Sequence, residues 1–309
     1  MGPGLGAIYG KLLTGERVIR DFVTVGAGDR LREKVYLAAD GQRWDVTGRQ
    51  WLLGLDPRVI GIWATEDLAG RLSYTLHVRD GEEEELGVMT LEYTGRIVEE
   101  NGTLYLLRAR STVVHHIESW RAWLLYRKFY RKPGVSYERL KAVAAAYTYP
   151  RRVRVISFRF GSDNHYIFPM DLLADIRDAG RYLLGMRHSN QVLKRIMEVG
   201  QIVVAEAPAE YKQAIYQLGR NHSASPPPPD QLPFGVVATR QWGYYLPEWV
   251  ESYKEVRIGK TQDLGSHMLL CGEWDEEVVL KPETPRLHHI HFLYFLKGRG
   301  RGMGYPVVS

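Results

Sequence analysis

Three short stretches of this chain carry side chains whose types and spacing could do chemistry. Arg187-His188-Ser189-Asn190 precedes a segment with helical periodicity. A helix N-terminus offers unpaired N–H groups, and hydroxyl, amide and basic side chains beside it form a seat for an anion such as a phosphate. The same four residues also fit a plain helix cap with a solvated arginine. His267 follows Gly265-Ser266 and opens an apolar run, either as a site histidine or as a turn histidine. His288, His289 and His291, with the pair His115-His116, are of a metal-ligating type. On a strand His289 and His291 would share one face while His288 points away. No carboxylate sits at tight spacing on that strand, so no metal is expected. Gly10-Lys11 lacks the glycine and hydroxyl spacing of a phosphate loop, and no G-x-S-x-G nucleophile elbow is present.

The elements that must position these residues are mostly strands. RRVRVISFRF (151–160) is strand-like, with an apolar phase slip between Val155 and Ile156 that a bulge or a two-sided strand would produce. Residues 189–199 read as a helix capped by Ser189 and stopped by Gly200, with Val192, Leu193, Ile196 and Met197 on one face. QIVVAEA (201–207) reads as a buried strand, followed by Pro208 in the first turn of a helix that ends at Gly219. The proline-rich 223–233 must be a loop. Strand candidates then follow at 236–240, 252–259, 266–274, 276–281 and 288–296. Upstream lie strand candidates at 20–27, 34–39, 58–65, 71–79, 87–98 and 103–110, and helices at 116–132 and 136–147, the latter capped by Ser136. Glu82 to Glu85 reads as a solvated hairpin tip. A boundary near Pro150 divides an N-terminal β-rich domain (1–149) from a second domain (150–309). The expected fold is mainly β with helical decoration (α+β), built on antiparallel strands.

Composition sets the frame. With 309 residues, 45% hydrophobic and 25% charged, the chain has an ordinary globular composition. No apolar run is long enough to span a membrane, and the first residues lack the pattern of a secretory signal. A single cysteine, Cys271, excludes an intrachain disulfide and cysteine-rich metal sites, and a cytoplasmic location is expected. The net charge is +5, with basic clusters at 121–132 and 297–302. No nucleic-acid-binding signature accompanies them, so nucleic acid is not an expected partner.

Three motifs together resemble the flavin reductase-like, split β-barrel family over residues 151–309. They are an N-x(3)-F-P-M loop (Asn164 to Met170), a G-x-x-x-S-N turn into a helix (Gly185 to Asn190), and an A-P-x-E helix ending in L-G-x-x-x-S (Ala207 to Ser223). The resemblance implies an FMN-binding split barrel, with FAD as the alternative cofactor and NADH or NADPH as co-substrate. It places Asn164, Phe168, Pro169, Met170 and Asp171 beside the flavin ring, and Arg187, His188, Ser189 and Asn190 at its phosphate. Asn221, His222 and Ser223 would line the site, and His267 would be the catalytic residue near flavin and nicotinamide. It also implies a homodimer and a partner oxygenase that takes the reduced flavin. Two departures stand out: Ser266 replaces an aspartate before His267, and a lysine is missing after Ser223. GLDPRVIGIWATED (54–67) resembles the family's segment with a proline before a buried strand, so the first 149 residues are open to reading as a degenerate second barrel. A flavin sensor or carrier, or a barrel that has lost its flavin, are the alternatives.

Overall fold

The computed structural model describes residues 5–308 apart from 17, 72, 162–163, 220–225, 227 and 300–303. The first half opens with α1 (Leu5–Thr14) and β1 (Phe22–Ala27). It continues through β2 (Lys34–Ala39), β3 (Gln42–Asp45), β4 (Gln50–Leu55), β5 (Arg58–Ala64), β6 (Tyr74–Arg79), β7 (Glu85–Glu99) and β8 (Gly102–Val114). The last seven form one antiparallel sheet in the order β3-β2-β6-β7-β8-β5-β4. Strict alternation folds it: in β6, Tyr74, Leu76 and Val78 are buried while Thr75, His77 and Arg79 are not. The acidic tract sits at the β6–β7 turn, but it is laced with ion pairs instead of merely solvated. Glu83 meets Arg79 at 3.2 Å, Glu84 meets Lys297 at 2.7 Å and Glu85 meets His77 at 2.6 Å.

Two helical segments bridge to the second half. α2 (Ser119–Leu125) runs into a π-helical turn at Tyr126–Tyr130, and α3 (Tyr137–Ala146) follows. Ser136 caps α3 as expected, accepting from the Arg139 N–H.

The second half contains β9 (Arg151–Arg152), β10 (Arg154–Phe160), β11 (Asn164–Met170), β12 (Leu173–Ile176), β13 (Arg181–Arg187), α4 (Gln191–Val199), β14 (Gln201–Glu206) and α5 (Lys212–Leu218). β15 (Val236–Ala238), β16 (Tyr245–Pro247), β17 (Ser252–Asp263), β18 (His267–Glu273), β19 (Glu277–Val279), β20 (Arg286–His291) and α6 (Phe292–Arg299) complete it. An eight-stranded antiparallel sheet, β11-β10-β14-β17-β18-β13-β12 with β19 beside β17, curls into a half-barrel. β20 leaves it to pair with β1 and β9, tying the start of the chain to its end. The fold is mainly β with helical decoration, as the strand pattern predicts. Among the described residues no helix is long and apolar enough to cross a membrane.

Several local readings are corrected. The N-x(3)-F-P-M segment is a strand, not a loop. It is tolerated there because β11 lies at the sheet edge, where Pro169 needs no N–H for a further neighbour. The phase slip in 151–160 reflects two-sided burial: Val155, Ile156 and Phe158 are all buried and pair with β11 in unbroken register. Asn190, not Ser189, caps α4, accepting from the Val192 N–H. Met197 faces outward at 45% exposure. The run 288–296 is not one strand. It turns into α6 at Phe292, where the Leu293 N–H donates to His291 Nδ1 at 3.1 Å.

The two halves share a core. Leu53, Val59, Leu104 and Leu106 from the first half pack against Ala174, Leu183, Leu269 and Cys271 from the second. Gly185 of β13 lies so close to β4 that an added Cβ would stand 1.9 Å from the Leu53 carbonyl oxygen. A buried charge network reinforces the joint. Arg286 (1% exposed) bridges Glu251, Asp29 and Glu283, while Glu206 pairs with Arg154 at 2.6 Å. Removing one partner would leave an uncompensated buried charge, which is strongly destabilising.

Candidate functional site

A cavity of about 430 Å³ opens where the half-barrel meets the α2–α3 segment, within the size range of small-molecule sites. The half-barrel contributes the end of β11 with Asp171, the end of β13, Asn190, and His267 at the head of β18. His289 and His291 project from β20. The first half supplies the opposite wall: Phe22 of β1, Leu55 of β4, Lys132 after the π-helical turn, and Arg139 and Val143 of α3.

The structure brings together Phe168, Pro169, Met170, Asp171, Arg187, Asn190 and His267, residues nearly a hundred positions apart. The other candidates fall elsewhere. Asn164 pairs with Phe160 at the far end of β11 and does not line the cavity. His188 and Ser189 line a shallow depression beside α4, bordered also by Asn190, and His188 Nε2 lies 3.1 Å from Asp263. Asn221, His222 and Ser223 lie outside the described residues.

His267 is held with its ring nitrogens in distinct environments. The Ser266 hydroxyl accepts from the Asp56 N–H at 3.0 Å and stands 2.7 Å from His267 Nδ1. The Leu55 N–H donates to the same nitrogen at 3.5 Å, which requires Nδ1 to be an acceptor, so the Ser266 hydroxyl hydrogen is the one shared with it. Nδ1 is therefore the acceptor and Nε2 carries the hydrogen. Nε2 is buried without a hydrogen-bond partner among the described residues. Burial, then the nearby positive charge of Arg187 and His188, pushes the His267 pKa down to about 4. The serine thus makes His267 a neutral N–H donor. An aspartate in its place would hold the hydrogen on Nδ1 and favour the opposite tautomer.

A second histidine is held the other way. His289 Nδ1 lies 2.7 Å from Asp171 Oδ2, which also accepts from the Tyr147 hydroxyl at 3.0 Å. The carboxylate fixes hydrogen on Nδ1 and leaves Nε2 to accept from the Tyr216 hydroxyl at 2.5 Å. Burial alone would raise the Asp171 pKa. The contacts to His289 and Tyr147 and the charge of Arg151 outweigh it and hold the carboxyl below its ordinary value.

The mouth is cationic. Arg139 pairs with Asp56 at 3.1 Å, whereas Lys132 and Arg187 make no ion pair among the described residues. The apolar faces of Phe22, Leu55, Val143 and Pro169 line the interior. A flat, partly apolar ring with an anionic tail matches this donor set: Asn190 and Arg187 for the anion, His267 Nε2–H and the β11 edge for the ring. Cys271 is buried, with its thiol pushed up to about 11, and takes no part. Among the described residues no group of three His, Cys, Asp or Glu side chains could hold a metal ion.

Sequence reasoning missed the first-half wall and the roles of His289, Tyr147 and Tyr216. The shared face of His289 and His291 was a usable signal, since it places both on one side of β20. Nothing local announces that Lys132 or Phe22 lines the same cavity as Pro169.

No family model and no curated protein matches this chain. Solved structures resemble it over about half its length. The NADH:FAD oxidoreductase SgcE6 of Streptomyces globisporus C-1027 is 16% identical, with 49% of this chain and 88% of that chain covered and a TM-score of 0.44. BorF, the flavin reductase component of a bacterial two-component tryptophan halogenase, is 15% identical, covering 47% and 90%, with a TM-score of 0.42. The styrene monooxygenase flavin reductase SMOB of Pseudomonas putida S12 is 14% identical, covering 49% and 92%, with a TM-score of 0.40.

Proposed function

We propose that this chain is an NAD(P)H-dependent flavin reductase that binds FMN, with FAD as the alternative, in the cavity between its halves. The observation that carries this reading is the convergence of Pro169–Asp171, Arg187, Asn190 and His267 on one cavity, with the His267 Nε2–H unpartnered among the described residues. A bound flavin supplies the hydride-accepting nitrogen. The protein's work is positional. The β11 edge and Phe22 confine the ring, and Arg187 with Asn190 neutralises and orients the phosphate. His267 gives a hydrogen bond that does not titrate near neutral pH. Residues 150–309 would carry the flavin and residues 1–149 the second wall. The homodimer and the partner oxygenase belong to the same proposal, although one chain lines the described cavity from both halves.

The test is the visible spectrum of the purified protein with added FMN, followed by anaerobic NADH or NADPH. Retained flavin bands that bleach on adding nicotinamide support the proposal. Bands that stay unbleached point to a carrier, and no retained flavin sinks the site assignment. In the same assay Arg187→Glu, which places a carboxylate where the phosphate is expected, should weaken FMN binding by at least about tenfold, one lost charge-assisted contact's worth.

A further inference from the structure

The Asp171–His289–Tyr216 chain runs from the cavity to the surface, and the flavin role above uses only its Asp171 end. Asp171 and His289 line the cavity, while Tyr216 on α5 is 40% exposed. Each link is a short hydrogen bond of fixed sense, as described above. This is the arrangement of a base oriented by a carboxylate, with its free nitrogen on a hydroxyl. The groups facing His289 are Asp171, Tyr216 and, through Asp171, Tyr147 and Arg151. Phe22 stacks on its ring at 5.9 Å, and His291 neighbours it on β20. Arg187 lies across the cavity. No cation contacts the imidazole directly, and the adjacent carboxylate is suited to steady a positive charge on it.

We infer that His289 takes up one proton when the bound ligand is reduced. This inference rests on the flavin reading above. Hydride arrival adds one negative charge to a partly desolvated cavity, which is costly unless compensated nearby. Compensation follows in two transfers. The Tyr216 hydroxyl gives its proton to His289 Nε2 as it takes another from solvent, so no free tyrosinate forms. The net change is one proton from solvent onto His289, leaving an imidazolium between Asp171 and Tyr216. Nicotinamide is oxidised, the ligand is reduced, and the proton returns by the same path when the ligand loses its electrons. Burial pushes the Tyr216 pKa up to about 12, so the hydroxyl rests protonated and is not left as a tyrosinate.

The experiment is anaerobic reduction of the FMN-loaded protein by NADH in weak buffer with a pH indicator, at a pH where reduced flavin itself stays anionic. Wild type should take up close to one proton per hydride. His289→Gln, whose amide can keep the Asp171 hydrogen bond, should take up essentially none per hydride accepted. Tyr216→Phe should still take up the proton, at a rate at least about tenfold slower. Uptake unchanged in His289→Gln, or absent from a wild type that does accept hydride, overturns this inference alone. A wild type that accepts no hydride overturns the flavin reading and this inference with it.

Discussion

Lowering the pH from 7 to 4 should unfold this protein, through buried histidines that the fold keeps neutral: His116, held well below its ordinary pKa by burial, and three others. His267, His288 and His291 are each 1% exposed. Burial, aided by Arg187 and His188, lowers His267 to about 4. Burial, aided by Arg152, lowers His288 to about 3, and burial alone lowers His291 to about 3. In the unfolded chain all would titrate near 6.5. The sign follows directly: below about pH 6.5 the unfolded state binds protons that the folded state refuses, so stability falls with pH until the folded values are reached. The combined loss from the last three between pH 7 and 4 is about 9 kcal/mol, comparable to the whole stability of a typical domain. Urea midpoints at pH 7, 6, 5 and 4.5 should fall with increasing steepness. His291→Leu should remove about one third of those three histidines' share of the slope while lowering the neutral-pH midpoint, because the Leu293 N–H loses its acceptor. A midpoint level from pH 7 to 5 would show that these imidazoles are not held neutral.

The same histidines show how much a linear sequence discloses. The alternation in β6, the Ser136 cap and the Gly200 stop were legible because each is a contact within a few residues. Gly200 sits at a φ of 68°, the left-handed conformation that ends α4. β11 was read as a loop because proline and asparagine are poor strand residues in isolation. Only its place at the sheet edge, a tertiary fact, makes it a strand. The end of β20 was hidden for a related reason: HHIHFLYFL has no glycine or proline to mark where strand becomes helix. The site was half visible. Pro169, Arg187 and His267, which line the cavity, stand in motifs. Phe22, Lys132 and Arg139 line it too but stand in none, because the pairing of β1 with β20 and the packing of the α2–α3 segment bring them there. Ser266 looked like a loss, since it replaces a charged partner of His267. The geometry shows it setting a tautomer instead.

Gly185→Ala should be the most damaging single-methyl change in the chain. The motif marks Gly185 as part of a turn, but it lies inside β13, and its glycine is required by an encounter between the halves. An added Cβ would stand 1.9 Å from the Leu53 carbonyl oxygen and 2.8 Å from its carbonyl carbon. Both atoms are backbone, so no rotamer change relieves the clash. β4 and β13 must part, and the shared core of Leu53, Leu104, Leu183 and Leu269 opens with them. Overpacking of this kind costs about 3 kcal/mol or more. The site should suffer too, because Leu55 is two residues from Leu53 on β4 and both Leu55 and Gly185 line the cavity. FMN affinity should fall by at least about tenfold, even at temperatures where the variant stays folded. Gly28→Ala is the matched control. Nothing lies within 4 Å of its added Cβ, so its midpoint should stay within about 0.5 kcal/mol of wild type. Both variants add one methyl group, so the difference between them isolates the contact. Equal midpoints would mean that β4 does not approach β13 this closely, and that the first half does not form the second wall of the cavity.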